Sequence, residues 1–151
     1  MIENFVIQSD ISILPMVEER LFHFCHECNV GNYYSPVSVA TMQAVENAII
    51  HGNGNDISKK VDITFGTFRG GIFVQVFDEG AGFDFSSFGS LPIDGQMTGE
   101  GIFVMKSLAD NIQFSEGGKK VKMEFVVSGI DPSDALERIT ILQERFAMVE
   151  I

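Results

Sequence analysis

Asn47, Asp78 and the glycines Gly80, Gly82, Gly99 and Gly101 are the residues whose types and order could build a ligand site in this chain. Asn47 stands in Glu46-Asn47-Ala48-Ile49-Ile50-His51-Gly52. A side-chain amide offers a neutral oxygen ligand to Mg²⁺, an ion that keeps several waters and takes its other ligands from substrate phosphates. Asp78 opens Asp78-Glu79-Gly80-Ala81-Gly82-Phe83. An ionised carboxylate only accepts hydrogen bonds, which suits an exocyclic amino group such as that of adenine. Gly99 and Gly101, in Gly99-Glu100-Gly101-Ile102-Phe103, precede a helical pattern, where backbone N–H groups can meet phosphate oxygens. Each segment has a plainer reading alone: a polar residue on a half-exposed helix, an aspartate starting a turn, a loop feeding a helix. Their order and spacing together describe a nucleotide pocket.

Elements that can position these residues are legible around them. Val37, Ala40, Thr41, Ala44, Val45, Ala48 and Ile49 recur at helical spacing, predicting a helix over Val37 to Ile50 that Pro36 opens. Ile72-Phe73-Val74-Gln75-Val76-Phe77 is an apolar strand ending where Asp78 begins. Ile102 to Ala109 reads as a helix immediately after the second glycine pair. Residues 3 to 9 read as a strand with Phe5 and Ile7 on one face, followed by a helix from about Ser12 to Asn29 ending near Gly31. Asn53-Gly54-Asn55-Asp56 is a turn, Val61, Ile63 and Phe65 alternate as a half-buried strand, and Arg69-Gly70-Gly71 turns into the strand before Asp78. Ser86, Ser87, Gly89, Ser90, Pro92, Asp94 and Gly95 give Asp84 to Thr98 the composition of a hinged lid.

This order of motifs resembles the N, G1 and G2 boxes of the GHKL (histidine kinase-like) ATP-binding superfamily. Within it, the chain is most similar to the anti-sigma factor serine/threonine kinases of bacterial partner-switching systems. The matching residues are the Asn-Ala-x-x-His run Asn47 to His51, the DxGxGFD run Asp78 to Asp84, and the GxGxxxxxxLxD run Gly99 to Asp110. A hairpin follows, from Ile112-Gln113-Phe114 through Gly117-Gly118 to Val121–Val127, and the likeness spans about residues 2 to 128. It implies a two-layer α/β sandwich with a mixed, mostly antiparallel sheet and helices on one face. It also implies that ATP and Mg²⁺ are bound, with Asn47 on the metal and Asp78 on adenine. Gly80, Gly82 and Phe83 would shape the adenine side, Gly99, Gly101 and Ile102 the phosphate side, and His51 would complete the N box. The implied partners are a sigma factor and an anti-sigma factor antagonist whose serine is phosphorylated.

Two positions depart from that pattern. The family carries a glutamate four residues before the Asn, where it is the general base; this chain has Gln43. An amide cannot take a proton from a hydroxyl at neutral pH, and general-base catalysis contributes roughly 10² to 10⁴ in rate. Glu46 points about 100° around the helix from Asn47 and does not replace it. From Asp84 to Gly101 there is no Lys or Arg, although phosphoryl transfer depends on compensating positive charge. Lys106, Lys119 and Lys120 are the nearest cations, and Lys119 and Lys120 stand where the family usually has Thr near the adenine. The alternative is therefore a catalytically weak nucleotide-binding module that acts by protein contact. A detached histidine-kinase catalytic domain would need a separate phosphoacceptor, and none of the three histidines sits in a recognisable dimerisation hairpin.

Composition bounds the rest. The 151 residues carry 10 Lys and Arg against 21 Asp and Glu, a formal charge of −11. That excess argues against nucleic acid and against an anionic membrane surface as partners. No apolar stretch of about 18 residues and no signal-peptide pattern is present, which gives a cytoplasmic expectation. His23, Cys25, His26 and Cys28 could suggest zinc, but a single CxxC lacks the remaining ligands. Met16, Val17, Leu21, Phe24, Cys25 and Cys28 instead form one apolar helix face. The domain is expected over residues 1–129, with an appended amphipathic helix over 130–151 that Asp131 caps. Its apolar residues, among them Leu136, Ile139, Leu142 and Phe146, would pack on the sheet or serve a homodimer or a regulatory partner.

Overall fold

A computed structural model describes residues 1–83 and 97–127. The elements are β1 (Ile2–Gln8), α1 (Leu14–Glu27), α2 (Tyr34–Asn47), β2 (Lys60–Phe68), β3 (Gly71–Phe77), α3 (Met97–Leu108), β4 (Asn111–Ser115) and β5 (Lys120–Val126). Five strands form one sheet in the order β1-β2-β3-β5-β4. Every pairing among the described residues is antiparallel. β5 is inserted between β3 and β4, which therefore run in the same direction, with α3 on the path between them.

Period-two alternation decides which face of the sheet is covered. Phe5 and Ile7 of β1, Val61, Ile63 and Phe65 of β2, Ile72, Val74 and Val76 of β3, and Val121, Met123 and Phe125 of β5 are all buried. They form one core with Val17, Leu21, Phe24 and Cys25 of α1, with the apolar face of α2, and with Ile102, Val104, Met105 and Leu108 of α3. The result is the expected two-layer sandwich, helices on one face, with α2 packed between α1 and α3. Phe65 centres the packing, its ring edge-on to Phe5 at 5.5 Å and tilted against Phe24 at 5.6 Å. On the opposite face the alternate positions are polar or half-covered, and Lys122 lies 4.7 Å from the centre of the Phe73 ring.

Helix ends differ from the sequence expectation for local reasons. Asp10 accepts hydrogen bonds from the Ser12 backbone N–H (3.0 Å) and hydroxyl (2.8 Å), holding a 3₁₀ turn at Ile11–Ile13 before α1 begins. α1 then stops at Glu27, because Asn29 adopts φ 59°, the left-handed conformation that ends helices. Met16 is 41% exposed and so leaves the apolar face on which Val17, Leu21, Phe24 and Cys25 are buried. Burial pushes the Cys25 thiol up to about 12, which keeps it a neutral, unreactive core residue. α2 starts two residues before Pro36 and ends at Asn47; the chain continues through Ile50 as a π turn, Ala48–Gly52, not as α-helix. Among the described residues no helix is long and apolar enough to cross a membrane. The lid expected over Asp84–Thr98 falls outside the described residues up to position 96, as does the appended helix over 130–151.

Candidate functional site

The C-terminal end of α2 and the π turn after it form one wall of a cavity of about 100 Å³. Ala44, Asn47, Ala48 and His51 line it, spaced at the three- and four-residue intervals that put side chains on one helical face. Opposite walls come from Val76 and Asp78 at the end of β3, from Ile102 and Met105 of α3, and from Phe114, Lys119 and Val121 of the β4–β5 hairpin. Phe83 and Phe114 meet edge to face at 5.6 Å on the same lining. The mixture of an apolar surface with a few polar groups matches the lining of a small-molecule site.

Asp78 is 7% exposed. Burial pushes its carboxyl above the usual carboxylate range, against the Gly80 N–H, Lys119 and Lys59, which pull it down. One oxygen, Oδ1, accepts the Gly80 N–H at 2.8 Å. The loop carrying Asp78 is tied on two sides. On the hairpin side, the Asp78 N–H donates to the Lys119 carbonyl and the Phe83 N–H to the Gly117 carbonyl, both at 2.9 Å. On the other side stands Asn53, 3% exposed. Its Oδ1 accepts the Glu79 N–H at 2.8 Å, while its Nδ2 donates to Ser9 Oγ at 2.9 Å and to the Lys60 carbonyl at 3.0 Å. The backbone of the same residue closes the π turn by donating to the Ala48 carbonyl at 2.8 Å. Asn53 thus joins β1, β2, the turn after α2 and the Asp78 loop.

The glycines serve close approach. A Cβ at Gly80 would collide with the Gly52 carbonyl, and Gly82 adopts φ 84° with its backbone against Gly117. A side chain at either position would push the loop after Asp78 away from its neighbours. Gly101 packs against the Asn47 amide, where a Cβ would lie 2.5 Å from Nδ2.

Of the residues singled out in the sequence, Asn47, His51, Asp78, Gly82, Phe83 and Ile102 line the cavity together. Gly80 and Gly101 sit behind it and set the spacing of Asp78 and Asn47. Gly99 and Gly101 do not precede the helix as expected: α3 already begins at Met97, so Gly99 lies in its first turn and Gly101 in its fifth position. Gln43 is half-buried, one turn before Asn47, and does not line the cavity. Lys106 is exposed on α3, away from the lining, and Lys120 turns outward, 5.7 Å from the centre of the Phe77 ring. Lys119 does line the cavity. Met105 and Phe114 line the cavity and Asn53 ties its Asp78 wall; in sequence Asn53 signals a turn, and Met105 and Phe114 carry no signal beyond apolar periodicity.

These residues fit ATP. Apolar Ala48, Val76, Met105 and Val121 can cover the faces of a base, buried Asp78 can accept from its amino group, and Gly101 leaves room beside the Asn47 amide. A family model described as the histidine kinase-like ATPase domain matches residues 32–125, from the start of α2 to the end of β5. No curated protein matches the chain significantly. With the matched span covering most of the chain and enclosing every residue of the cavity, the chain belongs to the histidine kinase-like ATPase domain family.

Proposed function

We propose that this protein is an ATP–Mg²⁺-binding regulator of the anti-sigma factor kinase type, holding nucleotide between α2, α3 and the β4–β5 hairpin. The observation that carries this reading is that Asn47 and Asp78, 31 positions apart in the sequence, line one cavity. Asp78 accepts the adenine amino group through the oxygen that Gly80 does not occupy. Asn47 contributes one neutral oxygen to Mg²⁺, the remaining ligands being phosphates and water. ATP supplies the transferable phosphoryl group, and the acceptor is a serine of an antagonist protein, with a sigma factor as the sequestered partner.

Gln43 favours a second reading for the catalytic half. Its amide holds no proton-accepting charge where a hydroxyl would have to be deprotonated, so the module works by contact, with nucleotide setting the shape of a partner surface. Titration with a non-hydrolysable ATP analogue and Mg²⁺, with Asn47→Ala alongside, tests the nucleotide reading: binding lost in the variant supports it, and no binding by the wild type removes it. Phosphoryl transfer to a serine substrate by wild type and by Gln43→Glu then separates the two readings. Activity appearing only in the variant selects the contact module; activity already present in the wild type selects the kinase with another base.

A further inference from the structure

Among the described residues β1 pairs with β2 alone, from Ile2 opposite Gly66 to Gln8 opposite Lys60, and so forms one edge of the sheet. The Thr67 N–H donates to the Met1 carbonyl, one position beyond that register. Hydrogen-bonded pairs alternate with non-bonded ones along an antiparallel ladder, so the odd-numbered residues of β1 are the ones bonded to β2. The N–H and C=O groups of Ile2, Asn4, Val6 and Gln8 therefore point off the edge. Their side chains stand on the uncovered face of the sheet, because Phe5 and Ile7 take the core. Ile2 is 71% exposed and Val6 52%. Proteins commonly blunt such an edge with Pro, Lys or a bulge, and Ile2–Gln8 has none of these. Its one charged residue, Glu3, is turned to Arg20 of α1 at 3.9 Å.

A free strip of backbone donors and acceptors takes a further strand. The pattern of this strip selects a second copy of itself. With Asn4 opposite Asn4 across a two-fold axis, Ile2 of each copy falls opposite Val6 of the other, so the two exposed apolar side chains cover one another on both sides of the axis. Every even-numbered position is then a hydrogen-bonded pair, as the direction of its backbone groups requires. The Asn4 amide leans back onto Asp62 and Thr64 of β2, which leaves the axis clear. In a chain of formal charge −11, an uncharged strip is also where two copies meet with least repulsion. We propose that two copies of this chain pair antiparallel through β1, joining their sheets into one continuous sheet with Ile2 against Val6 across the axis. The nucleotide cavity takes its sheet residues from β3 and the β4–β5 hairpin, which β2 separates from β1, so it stays open in both copies.

Sedimentation velocity over a concentration series tests this on the wild type, Val6→Pro, Val6→Lys, Ile2→Glu and the double variant Ile2→Glu/Val6→Lys. Proline at position 6 removes an N–H that points off the sheet and takes no bond from the β1–β2 ladder, a place where edge strands accept it. The wild type sediments as a dimer. Each single variant weakens the dimer by roughly tenfold or more, since every change is made twice across the axis, and keeps native far-ultraviolet dichroism. The double variant sets Glu against Lys in both pairs and restores the dimer. Should the proline variant lose its native dichroism, the charge variants decide alone. A wild type that stays monomeric up to roughly 100 μM overturns the inference and leaves the edge to a strand of a different protein. A dimer that survives all the single variants overturns it too, placing the contact on another surface. A double variant no stronger than Val6→Lys overturns the pairing of Ile2 with Val6.

Discussion

Asn53→Ala should be among the most damaging single changes outside the apolar core, and it should damage nucleotide binding as well. The substitution removes three side-chain hydrogen bonds, to Ser9 Oγ, the Lys60 carbonyl and the Glu79 N–H. At about 1 kcal/mol net each for these buried or part-buried bonds, the loss is roughly 3 kcal/mol. For a domain of this size about 1 kcal/mol corresponds to roughly 2–4 °C, so thermal unfolding should shift down by roughly 6–12 °C. Asn53→Asp keeps the acceptor for Glu79 but loses both donors, so it should fall with the alanine variant and not with the wild type. Below its melting temperature, Asn53→Ala should also bind ATP more weakly, because the Glu79 N–H that fixes the residue after Asp78 is released. Circular dichroism melts and a nucleotide titration measure the two effects. A loss of stability under about 1 kcal/mol, or full stability loss with unchanged affinity, would refute the assignment of Asn53 as the tie between the fold and the Asp78 loop.

Phe65→Ala removes a fully buried ring packed between Phe5 and Phe24 and should destabilise by about 3–5 kcal/mol in urea titration, without a specific effect on nucleotide. Gly80→Ala sets a methyl group against the Gly52 carbonyl; nucleotide affinity should drop by at least tenfold while far-ultraviolet dichroism stays native. Asp78 gives a pH signature. Its folded pKa lies above its unfolded one, so its contribution to apo stability is complete below the unfolded pKa and is lost as pH rises through the folded pKa. Asp78→Asn should therefore abolish that decline and raise apo stability at neutral pH. The same variant should weaken ATP binding, and wild-type affinity should fall on acidification at a pH above the ordinary carboxylate range, as read by melts and titrations across pH.

Legibility in the sequence tracked the distance over which each feature is encoded. The sheet and the helices were readable because Val61, Ile63 and Phe65, or Val37, Ala40, Thr41 and Ala44, declare a face through their own spacing. The α2 cavity wall was readable for the same reason, Asn47 and His51 being one turn apart. Boundaries were less so: α1 ends at an asparagine with positive φ, and α2 gives way to a π turn, neither of which periodicity marks. Asn53 and Lys119 were harder still. The role of Asn53 depends on Ser9, 44 positions away, and on Glu79, 26 positions away. Lys119 and Lys120 are the same residue type in adjacent positions, and only the register with β3 sends one to the cavity and the other to the open face.

The geometry of α2 separates holding nucleotide from using it. Residues four apart in a helix lie on nearly the same side and about 6 Å apart along its axis. Gln43 therefore stands one turn N-terminal to Asn47, on its side of α2 but beyond the cavity lining, which begins at Ala44. Replacing a carboxylate by an amide there alters no residue that packs against the cavity, neither the Asn47–Gly101 contact nor the Asn53 tie to the Asp78 loop. Nucleotide binding can persist while proton removal is lost, because Gln43 and Asn47 stand on successive turns of one helix and only Asn47 lines the cavity. The Gln43→Glu variant should for the same reason leave nucleotide affinity within about twofold of the wild type, less than 0.5 kcal/mol by the affinity scale. A larger change in affinity would mean that position 43 belongs to the binding site itself and that the two functions are not separable.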